Sequence, residues 1–205
     1  MTVQEAIEKR RTLKVLSEKN VHVTNIQADI SKVLEMGGKA PFHYINGKAN
    51  IQEVSSLAPW RFYVLDGESC RKLAAYYIEN NIDGGKIVQM LRAAQSLIQV
   101  TWTPEPTEDG EVLSSQRNIE HIAATSAAIQ NMLLTATTLG YENYWSSGGS
   151  LRETRFKELL KIPLDEALLG SLFVFESDTE GCKTKKGALR GRQGAVENYT
   201  IHVTL

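Results

Sequence analysis

A basic cluster, Lys9, Arg10, Arg11, Thr12 and Lys14, closes the first helical segment of the chain. Two guanidiniums followed by a hydroxyl can grip a phosphate through charge-assisted hydrogen bonds, with Lys14 a little further along. The alternative is a solvated helix end, where Lys and Arg are favoured in any case. The run Ser146-Ser147-Gly148-Gly149 has exposed amides and little side chain, so it can lay main-chain N–H groups against a ligand or form an ordinary turn. Other chemistry finds little support. His22, His43, His121 and His202 are scattered without metal-ligand spacing, and His121 lies inside a long helical pattern, where it reads as a hydrogen-bonded packing residue. No two carboxylates stand out as a general acid–base pair. The chain has no GxGxxG after a strand, no GxxxxGK[ST], no HExxH and no GxSxG. Hydrolase, kinase and metalloenzyme readings therefore lack support, and if the chain is an enzyme a cofactor carries the chemistry.

These residues need elements to position them. From Gln116 to Leu139 apolar residues recur at three- and four-residue spacings with no Pro or Gly, and Ala123, Ala124, Ser126, Ala127 and Ala128 crowd the middle. The pattern predicts a buried central helix that other backbones approach closely, ended by Gly140. Tyr141–Trp145 then reads as a short strand leading into the Ser-Gly turn. Thr2 and Glu5 form a capping box for the first helix, and Thr24 opens a second that ends at Gly37-Gly38. A polar loop is expected from Tyr44 to Ser56. Arg61–Leu65, Leu97–Trp102 and Leu168–Phe175 read as core strands, the last apolar enough for burial on both faces. Asp66-Gly67 reads as a turn, and Ser69, Ile87 and Ser150 mark further helices. Asp178 to Gln193 reads as a basic loop, and Val196 to Val203 as a last strand or an arm. Helices between strands predict a mixed α/β or α+β layer structure around one central sheet.

The 205 residues suit one domain, 1–205, with a substantial core. The formal net charge of -1 argues against a general nucleic-acid or anionic-membrane binder. Cys70 and Cys182 have no CxxC or metal spacing, MTVQEAIEKRR has no apolar signal region, and no apolar run is long enough to span a bilayer. The expected location is the cytoplasm.

Several segments, in order, resemble the FMN-dependent nitroreductase family. They are the opening AIEKRRTLKVL, Ala40-Pro41-Phe42-His43, Leu57-Ala58-Pro59-Trp60-Arg61-Phe62, the Ala-rich helix NIEHIAATSAAIQNMLLTATTLGY with Tyr144-Trp145-Ser146-Ser147-Gly148, and the strand Leu168–Phe175. The likeness is nearest to the compact branch with Ala-Pro-x-His and Trp-x-Ser-Gly elements. Three features depart from it. The loop between His43 and Pro59 is longer, Phe42 stands where a small or acidic residue is commoner, and Ser56-Leu57-Ala58-Pro59-Trp60 replaces Asn-x-Gln-Pro-Trp. The resemblance implies an α+β, three-layer fold with a central mixed sheet flanked by helices. It implies an obligate homodimer with FMN at the interface, and ping-pong transfer from NADH or NADPH to a small-molecule electron acceptor. By the same resemblance Arg10, Arg11 and Thr12 hold the phosphate, and Lys14 or Lys39 places positive charge near the pyrimidine side of the ring. Trp145, Ser146, Ser147 and Gly148 supply main-chain contacts, and His43 is a polar group beside the ring. Arg190 and Arg192 either close over the phosphate or form a solvated basic tail.

Three functions remain open from sequence. One is an FMN oxidoreductase acting on nitro compounds, quinones or related acceptors. The second is a flavin-binding carrier or redox sensor without efficient turnover. The third is an interaction protein that has lost the flavin, against which the intact Arg10-Arg11-Thr12 cluster argues. No dinucleotide fingerprint chooses between NADH and NADPH.

Overall fold

The computed structural model describes residues 1–45, 57–108 and 110–205. In chain order the helices are α1 (Val3–Lys9), α2 (Gln27–Gly38), α3 (Gly67–Glu79), α4 (Lys86–Ala93), α5 (Gln116–Thr138) and α6 (Thr154–Leu159). The strands are β1 (Leu13–Leu16), β2 (Trp60–Asp66), β3 (Ser96–Trp102), β4 (Glu142–Ser146), β5 (Ala167–Phe175) and β6 (Lys183–Lys186). Most of the polar loop expected from Tyr44 to Ser56 lies outside the described residues.

The main sheet has the order β2-β3-β5-β4, and β1 pairs with β6 in a separate ladder. A mixed sheet was the expectation; every pairing among the described residues is antiparallel. Rows of facing residues cross the main sheet. Leu65, Leu97, Phe173 and Tyr144 form one, and Tyr63, Gln99, Ser171 and Ser146 form the next on the same face. That face packs Leu97, Phe173 and Phe175 against Leu73, Ala74 and Tyr77 of α3, Met90 and Leu91 of α4, Leu13 and Val15 of β1, and Phe156 of α6. The opposite face packs Ile98, Val100 and Leu172 against Val33 of α2 and Ile129, Met132 and Leu133 of α5. The result is three layers, with every residue of β3 buried. Each large apolar side chain so enclosed contributes about 1.5–3 kcal/mol.

Local chemistry sets the element ends. Thr2 Oγ1 accepts from Glu5 N (3.2 Å) and Glu5 Oε2 from Thr2 N (2.6 Å), the expected capping box. Asp66 does not make a turn: β2 runs straight into α3, and Asp66 Oδ1 caps that helix by accepting from Ser69 N at 2.7 Å. Thr24 does not open α2. Its amide donates to Gln95 Oε1, and the helix starts three residues later behind Ile26, which caps nothing with its side chain. Gly140 follows the end of α5, with its amide on Thr137 O.

The C-terminal third departs most from the sequence reading. The segment expected as a basic loop contains β6, and its partner β1 begins within the basic cluster expected to close the first helix. Val196–Tyr199 is a 3-10 turn and Thr200 to Leu205 is exposed, with no strand pairing. Ser150 falls in a 3-10 turn, Gly149–Arg152, ahead of α6. Among the described residues no helix is long and apolar enough to cross a membrane, and no three metal-ligating side chains converge.

Candidate functional site

The basic cluster sits where α1 gives way to β1. Arg10 is the C-cap of α1, and its amide closes the last turn on Ala6 O at 2.9 Å. The last carbonyls of a helix lack intrahelical donors and attract cations. Arg190 answers both needs: its guanidinium donates to Ile7 O at 3.1 Å and to Arg10 O. Gly187 N donates to Thr12 O at 2.9 Å, extending the β1–β6 ladder and bringing the Leu189–Arg192 turn to the end of α1. Arg190 therefore belongs with the cluster; Arg192 is exposed in the same turn.

The charges there are unbalanced. Burial, and then the charge of Arg190, hold the Arg10 guanidinium below its ordinary pKa. Neither Arg10 nor Arg190 has a carboxylate partner among the described residues. Arg11 differs. Its guanidinium pairs with Glu142 Oε1 at 2.5 Å, an exposed contact worth about 0–1 kcal/mol. Lys14 Nζ lies 4.7 Å from the centre of the Tyr144 ring. Two guanidiniums held together without a counter-charge fit a phosphate, which is doubly negative and accepts several hydrogen bonds.

Glu142 and Tyr144 are alternate residues of β4, so β1 runs along the face they share. Asn143 points the other way, donating to Thr137 Oγ1 of α5 at 3.0 Å. Trp145 is on that second face, partly exposed to solvent, with its indole directly over Gly170. The turn beyond it is drawn tight. Ser146 Oγ accepts from Gly148 N at 3.2 Å, and Arg152 Nε donates to Ser147 O at 2.5 Å. Gly148 has φ +104°, and a Cβ there would stand 2.8 Å from Leu168 Cδ2. Only glycine suits both the angle and the space.

Lys39 and His43 lie elsewhere. Lys39 is the exposed C-cap of α2, and His43 lines an open groove of about 460 Å³ with Pro41, Phe42 and the α5 residues Glu120, Ala123 and Ala127. No hydrogen bond, ion pair or ring contact among the described residues joins either to residues 10–14 or 145–148. Nor does any such contact join residues 10–14 to 145–148, and Trp145 faces away from the side of β4 that meets Arg11 and Lys14, so one chain presents the basic cluster, the Trp145–Gly148 turn and the Lys39–His43 segment as separate groups. His121 is buried on α5; burial holds its imidazole below the ordinary range, and neither ring nitrogen has a hydrogen-bond partner among the described residues.

Sequence reasoning missed Glu142, Tyr144 and Gly170, which position Arg11, Lys14 and Trp145. The alternation of β4 could have paired the first two; nothing in the sequence marks Gly170. It also missed a buried carboxylate, Glu166, whose Oε2 accepts from Tyr63 Oη at 2.9 Å and from Thr101 Oγ1. Burial first, then the Glu166 charge, drive the Tyr63 phenol far upward.

The comparisons with known proteins bear on the family and the fold. The nitroreductase family model matches residues 7–174. The fold is similar to a nitroreductase-like family protein from Bacillus cereus (22% identity, 96% of this chain and 97% of that chain, TM-score 0.62). It is also similar to a nitroreductase with bound FMN from Bacteroides fragilis (18% identity, 100% of both chains, TM-score 0.56). A third is the FMN and NADPH-dependent nitroreductase NfnB from Sphigopyxis (14% identity, 88% of this chain and 91% of that chain, TM-score 0.56). No curated protein matches the sequence. With a family model spanning most of its length and the same fold throughout, the chain belongs to the nitroreductase family.

Proposed function

We propose that the chain is an FMN-dependent oxidoreductase, one domain over 1–205, that passes two electrons from NAD(P)H to nitro compounds, quinones or related small acceptors by a ping-pong route. The observation that carries this reading is the pair Arg10 and Arg190 at the end of α1, which has no carboxylate partner among the described residues. Relatives of the same fold support it: the Bacteroides fragilis protein has bound FMN, and NfnB is FMN and NADPH-dependent. Bound FMN would supply the two-electron redox chemistry between the nicotinamide and the acceptor. The chain's own residues bind and orient. Arg10, Thr12 and Arg190 would hold the phosphate, with Arg11 and Arg192 nearby in sequence. Lys14 would offer positive charge further along β1. The Trp145–Gly148 turn would offer main-chain groups.

Lys39 and His43 would join the basic cluster across a homodimer. The open groove along Ala123 and Ala127, and the exposed apolar Ile201, Val203 and Leu205, favour a two-fold assembly with FMN at the interface. The unpaired thiols Cys70 and Cys182 suit the cytoplasm as the proposed location.

The reading is tested by loading the protein with FMN, mixing it anaerobically with NADPH or NADH in a stopped-flow instrument, and then adding a nitroaromatic or a quinone. The visible flavin absorbance is expected to bleach and then recover. Bound flavin that neither nucleotide bleaches would favour the carrier or sensor, and failure to bind flavin would sink the reading.

A further inference from the structure

A second cationic site lies at the other end of the β1–β6 ladder from Arg10–Thr12. There Leu16 faces Lys183 and Lys14 faces Lys185. A groove of about 800 Å³ opens at this end, and its charged lining is Lys19, Lys86, Lys183, Lys185 and Glu18. Its wall is fixed. Ser17 N donates to Gln89 O at 3.2 Å, Ser17 Oγ to Lys19 O at 2.6 Å, and Arg92 to Glu18 O at 2.6 Å, which clamps residues 17–19 onto α4. The Glu18 carboxylate accepts from Gln89 Nε2 at 2.6 Å rather than pairing with a lysine. None of the four lysines has an ion-pair partner among the described residues.

This placement works against folding. The whole chain carries a net charge of -1, yet four ammoniums and one carboxylate share one groove. Lys185 stands directly across from Lys14, a like-charge pairing that destabilises a ladder. Lys86 is the first residue of α4, where a cation opposes the helix dipole, and that first turn holds no acidic residue. Local rules broken together at a concave, preformed place mark a site that an absent anion completes. Ammonium groups are donors only and bind phosphate as point charges. The volume is that of a small-molecule pocket, and the net charge excludes a broad nucleic-acid surface.

We propose that this groove binds the phosphates of a small molecule carrying two or more of them, independently of the flavin site. Two sources share that chemistry, a free polyphosphate such as pyrophosphate or ATP, and the phosphates of NADPH. The test is calorimetric titration of the FMN-saturated protein with pyrophosphate, ATP, NADPH and NADH at low ionic strength. The wild type is compared with Lys86→Gln/Lys183→Gln, with Arg10→Ala, and with Lys72→Gln as a control. At least one phosphate ligand is expected to bind, to weaken as salt is added, and to lose at least about tenfold in affinity in the double variant. The Arg10→Ala and Lys72→Gln proteins should bind it as the wild type does. Binding of pyrophosphate and ATP identifies a free polyphosphate; binding of NADPH well above NADH identifies the reductant's extra phosphate. Without ligand, the double variant should melt at or above the wild-type temperature, since repulsion is relieved. No binding by the wild type, equal binding by the double variant, or loss in Arg10→Ala instead would overturn the proposal. The pyrophosphate and ATP outcomes stand whether or not NAD(P)H reduces the flavin, and the nucleotide arms are repeated with NADP+ and NAD+, which carry the same phosphates and cannot reduce it.

Discussion

Gly170→Ala is a small change with a calculable consequence for the turn that carries Trp145. A Cβ at position 170 would lie 2.2 Å from Trp145 Nε1, 2.7 Å from Cδ1 and 3.2 Å from Cε2. Ordinary heavy-atom contacts are about 3.5–4.0 Å, so the indole must move by more than about 1 Å. Trp145 lies on the edge strand β4 and is 36% exposed, which leaves it room to swing toward solvent. Such overpacking costs about 1–3 kcal/mol. For a chain of this size each kcal/mol lowers the melting temperature by about 2–4 °C, so a drop of roughly 2–12 °C is expected. Trp60 and Trp102 are buried, so a red shift in tryptophan emission would report Trp145. The decisive comparison is a double-mutant cycle. In a Trp145→Ala background the clash is gone, and Gly170→Ala should cost little. Equal costs in the two backgrounds would refute the claim that Gly170 exists to seat Trp145.

Other perturbations test other parts of the structure. Asp66→Ala removes the cap of α3 and should cost about 1 kcal/mol at neutral pH by urea unfolding. The amide and hydroxyl of Ser69 hold the Asp66 carboxyl below its ordinary value, so the cap's contribution is present above about pH 4 and is lost as pH falls through the folded value; the gap between the two proteins should close in acid. Burial pushes the Cys70 thiol up to about 12, so alkylation of the native protein at mildly alkaline pH should mark Cys182 and spare Cys70; equal labelling by mass spectrometry would contradict the packing of α3. The unfolded thiol ionises near about 8.5 while the folded one stays protonated, so stability should also decline as pH rises past that value.

The sequence was most readable where one local pattern decided the outcome. The period of Gln116–Leu139 and the capping box at Thr2 each needed only a few neighbouring residues. The β1–β6 ladder was hidden because Leu13–Leu16 is short and directly follows Arg-Arg-Thr. Its partner Lys183–Lys186 is wholly exposed, so no apolar alternation announces a strand. Thr24 and Asp66 were misread because a capping residue's role depends on what its amide or carboxylate meets. Gln95 takes the Thr24 amide, and Ser69 brings Asp66 into α3. Arg10, Arg11 and Thr12 were visible as a cluster, but their division of labour was not. Glu142 neutralises Arg11, and Arg190 joins Arg10 across 180 positions. Both are long-range contacts without a local signature.

Arg10, with Arg190 beside it, is proposed to hold the phosphate of FMN. Titrating FMN and riboflavin against the wild type and Arg10→Ala, following flavin fluorescence, decides whether it does. Riboflavin is the same molecule without the phosphate. A charge-assisted hydrogen bond is worth about 1.5–3 kcal/mol, so the substitution should weaken FMN by at least about tenfold and leave riboflavin nearly unchanged. Unchanged affinity for both ligands, with the fold verified by circular dichroism, would make these arginines a solvated helix end and contradict the account.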